Sequence, residues 1–176
     1  AAGDRICAAL GMNDFGDDVL PVYLAARDPR DKWRLAASQA QGRIDEAVPL
    51  LARSLAIKPD AVPTRLNLAR IAEERGSFEE AAGHLRAALA VDPEDDEVRI
   101  HLATIYTKSR RIDDAVREYR KALETPSPAD FLAHNGLGVA LMQAGRPAEA
   151  IAEFRECVRL RPDYEHGQAN LERALA

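Results

Sequence analysis

Along most of the chain, apolar side chains recur at three- and four-residue intervals instead of alternating, which is the spacing of one helix face and not of a half-buried strand. Between residues 62 and 75 that pattern is carried by Leu66, Leu68, Ala69, Ile71 and Ala72, and Gly76 follows it, the residue best suited to a left-handed position beyond a helix end. A second amphipathic stretch opens at Ser77-Phe78-Glu79-Glu80, where Ser77 and Glu80 have the spacing of a capping box. It stops before Pro93, which cannot continue a helix. The pattern predicts a helix hairpin.

The hairpin recurs. Gly42, Gly76, Arg110 and Gly145 are separated by 34, 34 and 35 residues, and Ala47, Ala81, Ala115 and Ala150 keep the same intervals. So do Leu51, Leu85, Tyr119 and Phe154; Leu55, Leu89, Leu123 and Val158; and Glu46, Glu80, Asp114 and Glu149. Pro59, Pro93 and Pro162 close three of the units, and the extra residue of the third falls in Thr-Pro-Ser-Pro at 125–128, a turn. Ser127-Pro128-Ala129-Asp130 predicts the next helix start, with Pro128 at the first helical position and an acid in the first turn. A single hairpin cannot cover its own apolar face, so the units must stack.

This places four repeats at 28–61, 62–95, 96–130 and 131–164, the first with an irregular first helix around Trp33-Arg34-Leu35. Residues 1–27 form an N-terminal extension, with a capping helix expected over Asp18 to Arg27. At the other end, Asn170, Leu171 and Leu175 fall 103 residues after Asn67, Leu68 and Ala72, which predicts one further first helix. Glu172 stands there in the column of Ala69, Ala103 and Gly138, and burying a carboxylate against a partner helix carries a large desolvation cost. Residues 165–176 are therefore expected to be a solvating helix over the fourth repeat. Nine or ten helices and no strands are expected in all.

A 34-residue period with this column order resembles the tetratricopeptide-repeat (TPR) family over roughly residues 28–176. The Trp of the family's first helix is missing, with Arg65, Arg99 and His134 in its place. The resemblance implies an all-α fold, a right-handed superhelical α-solenoid of TPR hairpins, in which Ala69, Ala103 and Gly138 face Ala81, Ala115 and Ala150. It also implies that first helices line a concave groove that takes a protein or an extended peptide. The groove residues would be Asn67, Arg70, Glu97, His101, Thr104, Lys108, Asn135 and Met142, with Leu66, Glu74, Val139 and Gln143 beside them. Asn67, His101 and Asn170 share one column, and Asn135 precedes its member Gly136, similar to the asparagine ladders of some TPR proteins. An Asn amide can donate to a carbonyl and accept from an N–H at once, which suits a peptide backbone. The competing reading of each residue is a face that is merely solvated or locally packed.

A shorter stretch, Ala9-Leu10-Gly11 followed by Asp28-Pro29-Arg30-Asp31-Lys32, is similar to the junction where a TPR tail follows a bacterial sulfatase-like hydrolase of the alkaline-phosphatase superfamily. On that alternative the chain is a C-terminal accessory domain. The start at Ala1, without Met, suits a processed product or an excised segment.

Composition narrows the partners. A net charge of -5 argues against nucleic acid, which needs clustered Lys and Arg. No apolar run approaches the ~20 residues of a membrane-spanning helix, so no membrane insertion is expected. Nor does the start show the basic-then-apolar layout of a signal peptide. A soluble protein is expected; its compartment stays open, with the cytoplasm favoured, or the periplasm on the hydrolase-tail alternative. Self-association through the N-terminal end or the outer face, giving a homo-oligomer, stays open.

Cys7 and Cys157 make no CxxC pair, and His84, His101, His134 and His166 have no paired-ligand spacing, so no metal is expected. Asp14-Phe15-Gly16 lacks the rest of a kinase, and Gly136-Leu137-Gly138 follows no strand. The acidic run Asp92 to Glu97 lacks the spacing of a calcium loop and reads as a turn with a helix cap. No catalytic residue and no cofactor are expected. The sequence therefore describes a non-catalytic protein–protein interaction module, an adaptor or assembly scaffold.

Chaperone-tail receptors of the TPR family hold a terminal carboxylate with Lys, Asn and Arg from three consecutive repeats. Lys32 and Asn67 match two members, but Ala36 replaces a second Asn, and the third repeat offers Glu97 and His101 where two cations are needed. A peptide ending Glu-Glu-Val-Asp should show no saturable binding in a calorimetric titration, and a micromolar dissociation constant would refute the exclusion.

Overall fold

The structure is a computed structural model that describes residues 44–176, with side chains from residue 48. The N-terminal extension, Cys7, Asp14-Phe15-Gly16, the hydrolase-like junction, and the first helix and Gly42 of the first repeat lie outside the described residues. Within them are eight α-helices and no strand: α1 (Ile44–Ile57), α2 (Val62–Glu74), α3 (Phe78–Leu89), α4 (Asp96–Lys108), α5 (Ile112–Ala122), α6 (Asp130–Gln143), α7 (Pro147–Leu160) and α8 (Glu165–Leu175). The chain divides into two compact units, Ala1–Ile71 and Ala72–Ala176.

In the second unit each helix from α3 to α8 packs on the next, and the first helices of successive repeats, α4, α6 and α8, also lie side by side. Small residues set the spacing. Ala81, Ala103, Ala115 and Ala150 are completely buried, as the column argument requires. A Cβ on Gly138 would come within 2.5 Å of the buried Phe154 ring, so that ring uses the room glycine leaves. Leu85, Tyr119 and Phe154, one column of the second helices, are also buried, as are Leu102 and Leu137 of the first helices.

A second set of columns escaped the sequence reading. Ser54, Ala88, Ala122 and Cys157 end the second helices, Thr64, Val98, Ala133 and Gly167 begin the next first helices, and all are buried. They are the seam between repeats. In the first unit it is polar and satisfied internally, the Ser54 and Thr64 hydroxyls lying 3.2 Å apart. In the last it is tightest: a Cβ on Gly167 would stand 2.7 Å from Cys157 Sγ. The cap helix α8 thus approaches through Gly167, while Glu172 remains exposed.

All three described hairpin turns are Schellman motifs. Ser77 N–H donates to Ala72 O and Gly76 N–H to Glu73 O; the same pair of bonds recurs at Arg111 and Arg110, and at Arg146 and Gly145. Gly76 and Gly145 sit at φ 72°, and Arg110 takes the same left-handed conformation at φ 64°. That conformation crowds the Cβ of any residue but glycine.

Two helix starts differ from expectation. Ser77 makes no side-chain cap bond, so the Ser77–Glu80 capping box does not form. In the later repeats arginine holds the equivalent place, and Arg111 and Arg146 each reach forward 2.6 Å to the acid three residues on, Asp114 and Glu149. The fourth repeat's first helix begins at Asp130, not Pro128. There Asp130 Oδ1 accepts the Ser127 N–H at 3.1 Å, so the acid closes the preceding turn. The acidic run behaves as read: Asp95 caps α4 by accepting Val98 N–H at 3.0 Å, and Asp92 accepts Glu94 N–H.

The column that lacks the family's Trp has a job of its own. Arg65 donates to Pro59 O at 2.5 Å, Arg99 to Pro93 O, and Gln168 to Pro162 O at 2.5 Å, always six residues back across the inter-repeat turn. Where the inserted residue lengthens the turn, His134 instead pairs with Glu153 at 2.7 Å. Replacing Ala81 or Ala115 by Glu should abolish the cooperative thermal transition or lower it severely, since each would bury an unpaired charge where no exposure exists. A variant that melts like the parent in circular dichroism would show the register to be wrong.

Candidate interaction groove

The expected groove residues of the second unit lie on α4 and α6, and His101, Thr104, Lys108 and Asn135 are already engaged by other residues. Glu73, at the end of α2, accepts from His101 Nε2 at 2.8 Å and from Lys108 Nζ at 2.5 Å. Burial acts to raise the Glu73 pKa, but the hydrogen bonds and charges of Lys108 and His101 prevail and hold the carboxyl below its ordinary value. His101 and Lys108 are among the expected groove residues, and Glu73 is not. A four-residue step from Ala69 would have marked it as lying on the same helix face as the small-residue column.

Thr104 is half-buried, donating to Ile100 O at 2.9 Å with its oxygen 2.9 Å from the Tyr119 hydroxyl. It serves packing. Burial raises the Tyr119 pKa, against its hydrogen bonds with Thr104 and Thr107. The Tyr119 ring also explains the break in the asparagine column, because a Cβ on Gly136 would lie 2.3 Å from it. Asn135 and Asn170 are joined, Asn170 Nδ2 donating to Asn135 Oδ1 at 2.8 Å, and Arg173 donates in turn to Asn170 Oδ1. The ladder expected to hold a peptide backbone is here a link between two helices, which favours the local-packing reading for this pair.

Arg110 donates to Gln143 Oε1 at 3.2 Å, so a side-chain bond also spans from the third repeat to the fourth. Of the remaining candidates, Glu97 is exposed and Met142 is 40% exposed. In the first unit Asn67 is half-buried and Arg70 exposed. Ion pairs link the first turns of the second helices, Arg111 with Glu79 and Asp114, Arg117 with Asp114, and Arg146 with Glu149. His84 is half-buried.

Among the described residues no group of three His, Cys, Asp or Glu could hold a metal ion, and no helix is long and apolar enough to cross a membrane. Cys157 is buried and unpaired, with its thiol pKa pushed up by that burial.

Stacked helix hairpins with capped, internally bridged faces define an α-solenoid of the kind that presents surface to other proteins. Two tetratricopeptide-repeat family models match, one over residues 100–165 and the other over 39–83 and 72–126, and the chain belongs to the tetratricopeptide-repeat family. No curated protein matches it by sequence. Among solved structures it is similar to Pseudomonas aeruginosa pilF, with TM-score 0.71 and 21% identity over 84% of this chain and 70% of that one. It is similar to MamA of AMB-1, with TM-score 0.64 and 28% identity over 90% of this chain and 82% of that one. The second TPR domain of human RPAP3, solved in complex with the HSP70 peptide SGPTIEEVD, matches with TM-score 0.59 and 18% identity over 64% of this chain and 92% of that one.

The Glu73 bridge carries a pH signature. A carboxyl whose folded pKa is depressed contributes stability that is present above its unfolded pKa, about 4.3, and is lost as pH falls through the folded value. Glu73→Gln should therefore melt below the parent at neutral pH, and the difference should shrink as pH is lowered through the acid range in a calorimetric series. A pH-independent difference would assign Glu73 a packing role only.

Proposed function

We propose that this chain is a non-catalytic adaptor that holds a peptide or protein segment against the face lined by its first helices. TPR folds of this family typically serve as protein–protein interaction modules. The observation that carries the finer reading is α6. It buries Ala133, Leu137, Gly138, Ala140 and Leu141, yet leaves Leu132 and Met142 39% and 40% exposed on the other side. A helix apolar on both sides is suited to burial on both sides.

The binding set under this reading is Glu97, His101, Lys108, Asn135 and Met142 in the second unit, and, taken by itself, Asn67 with Arg70 in the first. The RPAP3 domain, solved with a bound peptide, supports a peptide as the ligand class. His101, Lys108 and Asn135 would act after yielding their present partners, which makes binding modest in strength, and no nucleic acid or cofactor is needed.

Met142→Glu should reduce partner recovery in a quantitative pull-down at least tenfold, because an anchor in an apolar contact is worth several kcal/mol. Asn67→Ala should cost ~0.5 to 1.5 kcal/mol, one neutral hydrogen bond. Arg117→Glu, on the outer side, should leave recovery unchanged. The reverse order of effects would move the site to the outer surface.

A further inference from the structure

We propose, resting on the groove reading above, that the fourth repeat selects a segment rich in both aliphatic and acidic residues, seated on α6 between Arg110 and Arg173. Leu132, Asn135, Val139 and Met142 follow one another at three, four and three residues, so they lie on one helix face about 15 Å long. Gln143 borders the same face. Two arginines border this strip, and the acceptors of both are neutral. Arg110 donates to the Gln143 amide oxygen and Arg173 to that of Asn170, which itself donates to Asn135. By contrast Lys108, Arg111, Arg117, Arg120, Arg146 and Arg159 all reach carboxylates.

Arg110 supplies the second observation. Its sister positions are Gly76 and Gly145, both at φ 72°, and Arg110 adopts φ 64° in the same turn. Glycine takes this conformation freely and arginine at a cost. A costly backbone conformation is retained where the side chain is needed, and this one aims a guanidinium at the end of the strip beside Met142. An amide oxygen satisfies one N–H and leaves the charge uncompensated, whereas a carboxylate would meet both geometry and charge. The apolar strip takes the ligand's aliphatic side chains. Glu97, exposed at the register of Leu132 one repeat earlier, directs the ligand's acids toward the Met142 end.

The test is fluorescence anisotropy on the full chain with three labelled, C-terminally amidated peptides. Each places leucines at helical spacing, and they differ only in having glutamate, serine or lysine between them. The glutamate peptide should bind saturably, the serine peptide at least tenfold more weakly, and the lysine peptide not at all. Arg110→Gly should raise the melting temperature while weakening the glutamate peptide about tenfold, one charge-assisted contact. Arg173→Gln should weaken it similarly, and Met142→Glu should abolish it. Equal binding of glutamate and lysine peptides would overturn the acidic class and leave the groove reading standing. Undiminished binding by Met142→Glu would overturn both. Failure of all three peptides, or a dimer in light scattering that Met142→Glu disperses, would overturn the proposal.

Discussion

Everything in this fold depends on how closely two helices can approach. Inter-axial distances run from about 8 to 10 Å with the side chains at the contact, and the closest approaches need small residues there. The chain meets that need with one small residue per repeat on each partner: Ala103, Ala115 and Ala150 have no exposure, and Gly138 yields its missing methyl to Phe154. Larger side chains then fill what remains on either side, with Leu85, Tyr119 and Phe154 changing shape from repeat to repeat. The compensation is visible at Gly136, whose missing side chain makes room for the Tyr119 ring. Core volume is conserved between neighbours, not within a column.

With spacing fixed, polar groups at the ends and edges have one geometry per repeat, so a single solution can be copied. The brace onto a proline carbonyl is made by Arg65, Arg99 and Gln168. It meets a carbonyl in a turn that has no helical donor to offer, and so replaces an aromatic wedge with a hydrogen bond. Arg99 is nearly buried and also lies 3.3 Å from Glu118, which compensates its charge. His134 to Glu153 repeats that pairing one hairpin later. Conserved geometry, filled by different residues, produces the same structural result.

The period was legible in the sequence because its columns hold residues with narrow roles: glycine in left-handed turns, alanine in close contacts, proline after helices. Gly76 and Gly145 sit at the turns they mark, and Ala81, Ala115 and Ala150 have no exposure. The seam was harder to see. Ser54, Ala88, Ala122 and Cys157 share little but size, and Thr64, Val98, Ala133 and Gly167 share less. The groove was least legible, since column logic shows which residues share a face and not which touch. Glu73 reaches His101 and Lys108 from an earlier repeat, and Asn170 reaches Asn135 across 35 residues. Helix starts failed for a local reason: Ser77 and Glu80 have capping-box spacing, but the Ser77 backbone, at ψ 63°, makes no side-chain cap bond.

Bridged polar groups and an exposed apolar strip on one face act on a ligand in opposite ways. Opening the Glu73 bridge would leave a half-buried carboxylate short of donors, so a competing anion there gains little beyond what it displaces. The strip on α6 has no such occupant, and covering Leu132 and Met142 removes apolar area from water at roughly 25 cal/mol per Å². Under the proposed binding mode the bridges exclude and the strip attracts, and discrimination between partners needs both. Arg110 lies where the two meet. Its left-handed backbone makes this turn less favourable than its glycine counterparts, yet it places a side chain that reaches the next first helix. A repeat array built for stability alone would place glycine there, and on the proposed reading the departure from its own periodic rule is what separates this part of the face from a merely solvated one.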